Sequence, residues 1–297
     1  MLRALVLLLA GLILHTPAWA EPLPVVASFS ILGDLLRQVG GERVQVTVLV
    51  GPDEDAHGFQ PKPSDARRIK AARLVVMNGL GFDPWLERLA RSAGYGGPLV
   101  VASQGVRTLA ADTHDDHGDH DHPADPHAWQ DLGNTLIYVD NLRRALAAAD
   151  PAGAPAYAAN TQAYATRLQA LDREIRQSLA RLPAERRRLV TSHDAFGYFA
   201  RAYGLAFLAP VGLSSQSEAT AAGVGALIRQ IRQEKVPAVF LENVTDPRLM
   251  ARIQRETGAR PGGTLHSDAL AANGPAASYE GMMRENLRVL LEALAPR

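Results

Sequence analysis

Residues 23–50 read LPVVASFSILGDLLRQVGGERVQVTVLV. Leu23 to Ser28 is a short apolar, β-branched run, the pattern of a buried strand. Ile31 to Val39 places its apolar residues at helical spacing. Val44 to Val50 alternates and is again β-branched, which predicts a second strand. Strand, helix and strand in so short a span predict a βαβ unit, and with it a parallel sheet.

Upstream of this unit lies a segment outside the fold. Met1-Leu2-Arg3 gives a short positive start, Ala4 to Leu14 is apolar or glycine, and Ala18-Trp19-Ala20 is a small-x-small pattern before Glu21. The expectation is a secretory signal peptide, residues 1–20, cleaved after Ala20. Its apolar run is shorter than the ~20 residues that span a bilayer. The chain contains no cysteine. An exported protein without disulfides relies on its core. Without a cysteine at the cleavage point there is no site for a lipid anchor, so a free periplasmic protein is expected. Any metal site must then be built from nitrogen and oxygen. The 31 basic and 31 acidic side chains balance, which argues against a nucleic-acid partner. A chain of 297 residues makes one large or two medium domains.

Downstream, the strand–helix alternation continues. After Val50 comes a loop, Gly51 to Asp65, rich in proline and containing His57. Ser64 is the expected N-cap of a helix over Asp65 to Ala72. Leu74 to Asn78 and Leu99 to Ser103 read as strands flanking a helix from Pro84 to Ser92. Asn134 to Ala149 reads as a helix, and Pro151 and Pro155 break the pattern. Tyr157 to Leu182 then runs without Pro or Gly, a helix of about 39 Å at 1.5 Å per residue. It reads as a spine between two domains. The expected organisation is a first lobe over 21–150, a linking helix over 151–182 and a second lobe over 183–297.

The second half repeats the theme. Leu189 to Ser192 is a strand, followed by His193 and a helix from Ala195 to Tyr203. Leu205 to Val211 is a short strand, Ser214 to Thr220 a polar loop, and Gly223 to Glu234 a helix. Ala238 to Glu242 is a strand ending in an acid, and Pro247 to Thr257 a helix. Gly263 to His266 is a weak strand before Asp268, and Tyr279 to Leu294 closes the chain as a helix.

The chemistry concentrates at His114 to Asp131, HDDHGDHDHPADPHAWQD, which holds five of the nine histidines and six aspartates. His114, His117, His120 and His122 lie in a run of Asp, Gly and Pro, expected to be a His-rich loop over 112–123. Such tracts are a compositional pointer to metal binding. His127 lies just beyond, where polar loop gives way to structured chain, and is expected to open a helix. His57, His193, Glu242 and Asp268 each follow a strand, the place where open α/β sheets put their ligands. If both sheets point their carboxyl ends at one cleft, three imidazoles and one of the two carboxylates would close a four-coordinate shell.

The segments VASFSILGDLLRQVGG, DAHGFQPKPSD, NGLGFDPWLERL, DPHAWQD, TSHDAFGYFARAYGL, SEATAAGVGALIRQIRQEKVPAVFLEN and GTLHSDAL resemble the metal-binding receptors of bacterial ABC importers for zinc and manganese, the cluster A-I or cluster 9 solute-binding proteins. The resemblance spans residues 24 to 294, and within the family the chain is most similar to the zinc-specific AztC-type receptors. It implies an α/β fold of two Rossmann-like lobes with mainly parallel sheets, joined by one long rigid helix, with a metal buried between them. By motif, it implies His57, His127, His193 and Asp268 as ligands. Some relatives use a glutamate after the FLE strand, here Glu242; the expectation is Asp268 as ligand, with Glu242 behind it fixing an imidazole tautomer.

The resemblance implies Zn2+ as cargo, with Mn2+ as the alternative. The His-rich loop is short for a zinc receptor, whereas manganese receptors usually lack one, so its presence tilts the expectation to zinc. Its expected role is to gather metal weakly or to accept it from a periplasmic metallochaperone. The implied partner is an ABC permease at the inner membrane, with the receptor itself a monomer. Two rival classes remain. A zinc-dependent hydrolase would need an open coordination position and a base such as Glu242. An adhesin or metal buffer would lack a transporter encoded beside it.

Overall fold

The computed structural model describes residues 21–110, 124–217 and 219–295. The expected signal peptide and the run 112–123, with His114, His117, His120 and His122, lie outside the described residues. The first sheet contains β1 (Leu23–Phe29), β2 (Val44–Val50), β3 (Leu74–Met77) and β4 (Leu99–Val101) in the order β2-β1-β3-β4. The second contains β5 (Arg188–Val190), β6 (Ala206–Leu208), β7 (Ala238–Glu242) and β8 (Arg260–Leu265) in the matching order β6-β5-β7-β8. Every pairing is parallel. The strand order reverses between β1 and β3, and again between β5 and β7. Such switch points leave a crevice at the carboxyl ends of the strands.

Helices cover both sheets: α1 (Ser30–Gly40), α2 (Pro63–Ala71), α3 (Pro84–Ser92) and α4 (Leu132–Ala149) in the first lobe, and α6 (Gly197–Tyr203), α7 (Ala221–Glu234), α8 (Pro247–Thr257) and α9 (Tyr279–Leu294) in the second. Between them runs α5 (Ala154–Leu179), 26 residues long. Its buried stripe is Tyr157, Tyr164, Leu168, Leu171, Ile175 and Leu179. Spaced by three, four or seven residues, they form one apolar face. That face packs on α1, α4, α6 and α9, and so on both lobes. The amino end is fastened by Asp150, which accepts hydrogen bonds from Arg43 and from the Tyr157 hydroxyl.

One apolar core passes through both lobes, from Phe29 and Ile31 to Phe196, Phe199, Tyr279 and Met282. A smaller cluster under α7 and α8 stands apart from it, built from Val190, Val224, Ile228, Ile231, Val239, Met250 and Ile253. No described helix is long and apolar enough to cross a membrane.

Three local expectations are corrected. The N-cap of α2 is Lys62 rather than Ser64, because Pro63 supplies a helical φ at the first position and the Asp65 carboxylate takes the Lys62 N–H at 2.8 Å. Pro155 does not break α5 but lies in its first turn, where its missing N–H costs nothing. His127 opens only a 3-10 turn, Ala128–Gln130; α4 starts at Leu132, capped by Asp131, whose carboxylate accepts from Gly133 N–H.

Candidate metal centre

His57, His127, His193 and Asp268 meet between the lobes, each offering one ligand atom within 4.8 Å of the others. Asp268 is the hub. Its Oδ2 lies 3.3 Å from His57 Nε2 and 3.1 Å from His193 Nε2, and its Oδ1 lies 3.5 Å from His127 Nε2. The three Nε2 atoms and both Asp268 oxygens are buried without a hydrogen-bond partner. Orphaned polar atoms in a protein interior cost about 1–3 kcal/mol each. Five of them facing one point form a shell that a cation would satisfy.

Each side chain is aimed by its own element. His193 follows β5 and pairs with Val211 through an isolated parallel bridge. Glu242, the last residue of β7, accepts the N–H groups of Ser192 and His193 on Oε1 at 2.7 and 2.9 Å. Its Oε2 lies 2.6 Å from His193 Nδ1, off the ideal hydrogen-bond line. Glu242 thus stands behind His193, and the carboxylate among the four converging side chains is that of Asp268.

His127 has an equivalent support that sequence reading did not assign. Asp125 Oδ1 accepts the His127 backbone N–H at 2.9 Å and lies 2.7 Å from its Nδ1. A carboxylate there favours the Nδ1–H tautomer and leaves Nε2 free as a donor to metal. Asp125 lies in the quoted DPH segment, two residues from His127; that proximity was the available signal. The Pro126 carbonyl is held by Asn78 Nδ2, and Asn78 is itself fixed by the Tyr138 hydroxyl and by buried Asp83.

Asp268 is anchored from the first lobe although it follows β8. The carbonyl of Ser267 accepts from Trp129 Nε1 at 2.9 Å and Gln130 Nε2 at 2.7 Å. The next turn is tied by Leu270 N–H donating to Ser30 Oγ. His57 is the least enclosed of the four. Phe82 packs edge-on against its ring, Trp85 Nε1 donates to the Ala56 carbonyl, and Asp55 Oδ1 accepts the His57 N–H. Among the described residues no carboxylate stands behind its Nδ1.

The electrostatics follow from this crowding. Burial opposes a charge on His193, but the carboxylates of Glu242 and Asp268 outweigh it and hold its pKa well above the ordinary 6.5. Burial likewise opposes ionisation of Asp268, and the neighbouring His193 and His127 reverse that, holding its carboxyl well below the usual range. The pocket is an anionic point ringed by imidazoles.

The family described as ZnuA, zinc-uptake complex component A, periplasmic, matches residues 25–293. The iron-binding protein YfeA of Yersinia pestis is 35% identical over 263 residues, covering 88% of this chain and 82% of that protein. The manganese-binding lipoprotein MntA of Halalkalibacterium halodurans is 33% identical, covering 93% of this chain and 89% of that one. Among solved structures, the periplasmic zinc-binding protein TroA of Treponema pallidum superimposes with a TM-score of 0.86 at 29% identity, over 93% of this chain and all of that one.

Proposed function

Since this chain belongs to the ZnuA family of periplasmic metal-uptake components, a family of binding proteins and not of enzymes, we propose that it captures zinc and hands it to an ABC importer. The observation that carries the zinc reading is the donor set: three imidazole Nε2 atoms and one carboxylate, all buried and unpartnered. Three nitrogens and one oxygen suit a borderline cation that accepts four ligands in a tetrahedron. Magnesium and calcium demand oxygen-rich shells of six or more ligands and are poorly served. The proposed ligands are His57, His127, His193 and Asp268, with Asp125 and Glu242 fixing two of the rings. Four protein ligands leave no open position for an activated water.

Manganese is the second reading, favoured by the manganese-binding and iron-binding names of relatives at this identity. Against it stands the nitrogen content of the site, since manganese favours oxygen donors. Closeness to the zinc-specific AztC-type receptors belongs to the zinc reading and is supported by the histidines at 114, 117, 120 and 122. In this reading the protein is a periplasmic monomer released by a cleaved signal peptide. It docks an inner-membrane permease, and its His-rich run gathers metal or receives it from a metallochaperone.

Elemental analysis of the purified protein, combined with zinc and manganese titrations of wild type and His193→Ala, tests the proposal. One tightly bound zinc per chain, much weakened in the variant, supports it. Manganese held in preference to zinc moves the selectivity and keeps the receptor role. Absence of stoichiometric metal from the wild type overturns the ligand set.

A further inference from the structure

The loop that carries His57 is fastened at two places to parts of the chain beyond α5. Asp53 accepts from Asn243 Nδ2 and from the Ala272 N–H, and its own N–H donates to the Leu270 carbonyl. Two residues on, Asp55 divides its carboxylate between two tasks. Oδ1 takes the His57 backbone N–H at 2.9 Å. Oδ2 takes Ser215 Oγ at 2.8 Å and Gln216 Nε2 at 2.6 Å. Gln216 also lies over Gly58, where an added Cβ would come within 2.6 Å of its amide carbon.

Ser215 and Gln216 belong to the segment between β6 and α7. The apolar face of α7 packs in the smaller cluster, not in the core the two lobes share. Among the described residues, residues 212–234 reach the first lobe through those two hydrogen bonds, both to Asp55. One carboxylate therefore joins His57, whose Nδ1 has no carboxylate behind it among the described residues, to the separately packed part of the second lobe. His127 and His193 each have a carboxylate against Nδ1; His57 has this relay instead.

We propose that Asp55 is a positioning residue that holds His57 at the metal only while Ser215 and Gln216 bond to it, so that these two residues set how fast bound metal leaves. The inference rests on the ligand set proposed above. In physical terms, His127, His193 and Asp268 stay fixed by interior bonds. The link from Asp55 to Ser215 and Gln216 is made by partly exposed ones, whose net strength is small and whose opening is fast. A contact that draws Ser215 and Gln216 away would release Asp55, loosen His57 and leave the cation on three ligands.

The test is stopped-flow transfer of zinc(II) from the loaded protein to a chelator, measured for wild type, Ser215→Ala/Gln216→Ala, His57→Ala and the three changes together. The double variant lies outside the site and is expected to release zinc about tenfold faster or more, as loss of two charge-assisted bonds allows. Thermal unfolding of the metal-free protein should be unchanged. In the His57→Ala background the same double change should have no further effect, since its action runs through His57. Release at the wild-type rate from the double variant overturns the proposal. So does an equal acceleration in the His57→Ala background. A wild type that takes up no zinc(II) instead defeats the ligand set itself, an outcome distinct from both.

Discussion

At the residue scale, the candidate site depends on carboxylates that face away from its centre. Asp125 and Glu242 touch imidazole Nδ1 atoms and backbone N–H groups, and so decide which nitrogen each ring presents. Asp125→Asn and Glu242→Gln are each expected to lower zinc affinity about 10–100-fold, the usual cost of removing such a support, with the far-UV circular dichroism unchanged. A chelator-competition titration reads this directly. Protonation gives a second expectation. His193 has its pKa raised well above 6.5 by Glu242 and Asp268 against the effect of burial, so near neutral pH a cation bound there would have to displace a proton. Zinc affinity should therefore rise with pH through the range above 6.5, and calorimetry in buffers of different ionisation heat should show proton release. The same shift has a stability consequence in the metal-free protein. A histidine whose folded pKa is raised contributes stability that is fully present below its unfolded value near 6.5 and is lost as pH rises through the folded value. Asp268, depressed when folded, contributes above the unfolded value near 3.8 and loses that only in strong acid. The thermal midpoint of metal-free protein should thus fall on going from pH 6.5 to alkaline pH, while the zinc-loaded form, with no proton on His193, should fall less. Parallel melting curves at several pH values would show it.

At the element scale, α5 decides how the lobes are held. Its buried stripe contacts helices of both, so a cavity there weakens the joint and not one lobe alone. Leu168→Ala is expected to cost about 2–5 kcal/mol of unfolding free energy, whereas Arg173→Ala on the exposed face should stay within about 0.5 kcal/mol. Denaturant unfolding followed by circular dichroism separates the two. This helix was legible in the sequence because Tyr157 to Leu182 runs without Pro or Gly, although it ends three residues earlier, at Leu179. Its start was not legible, because Pro155 is a breaker in mid-helix and a favoured residue in a first turn, and only the position of the turn tells which. The stretch Leu205 to Val211 was overread for a related reason. Its apolar content suggests a strand, yet Pro210 has no N–H to give to a ladder and regular pairing stops at Leu208.

At the scale of the whole molecule, the base of the His-rich run is closed. Ala110 and Ala124 pair as an antiparallel bridge, and Asp125 N–H donates to the Leu109 carbonyl at 2.9 Å. Replacing residues 112–123 with a short Gly-Ser turn should therefore leave the rest of the fold in place. If the run only gathers metal, equilibrium affinity should stay near wild type while loading from dilute zinc slows; a collapse of affinity would place the run in the primary site. Local sequence was enough for the alternation of strand and helix, the parallel sheets and the placing of His57, His193, Glu242 and Asp268 at or after the carboxyl ends of strands, because these follow from local periodicity and from the chirality of βαβ connections. Which acid faces the centre of the candidate site was not local information. Glu242 ends β7 and Asp268 follows its parallel neighbour β8 in the same kind of place, and only packing turns one carboxylate to the backs of Ser192 and His193 and the other into the centre of the ring. The same holds for the bonds that fix Asp268 through Trp129 and Gln130, and for the relay from His57 through Asp55 to Ser215 and Gln216. These join residues more than a hundred positions apart. Contacts of that range are set by how two completed lobes meet, a choice made by the shared core and the α5 face, on which no single segment of the sequence carries the information.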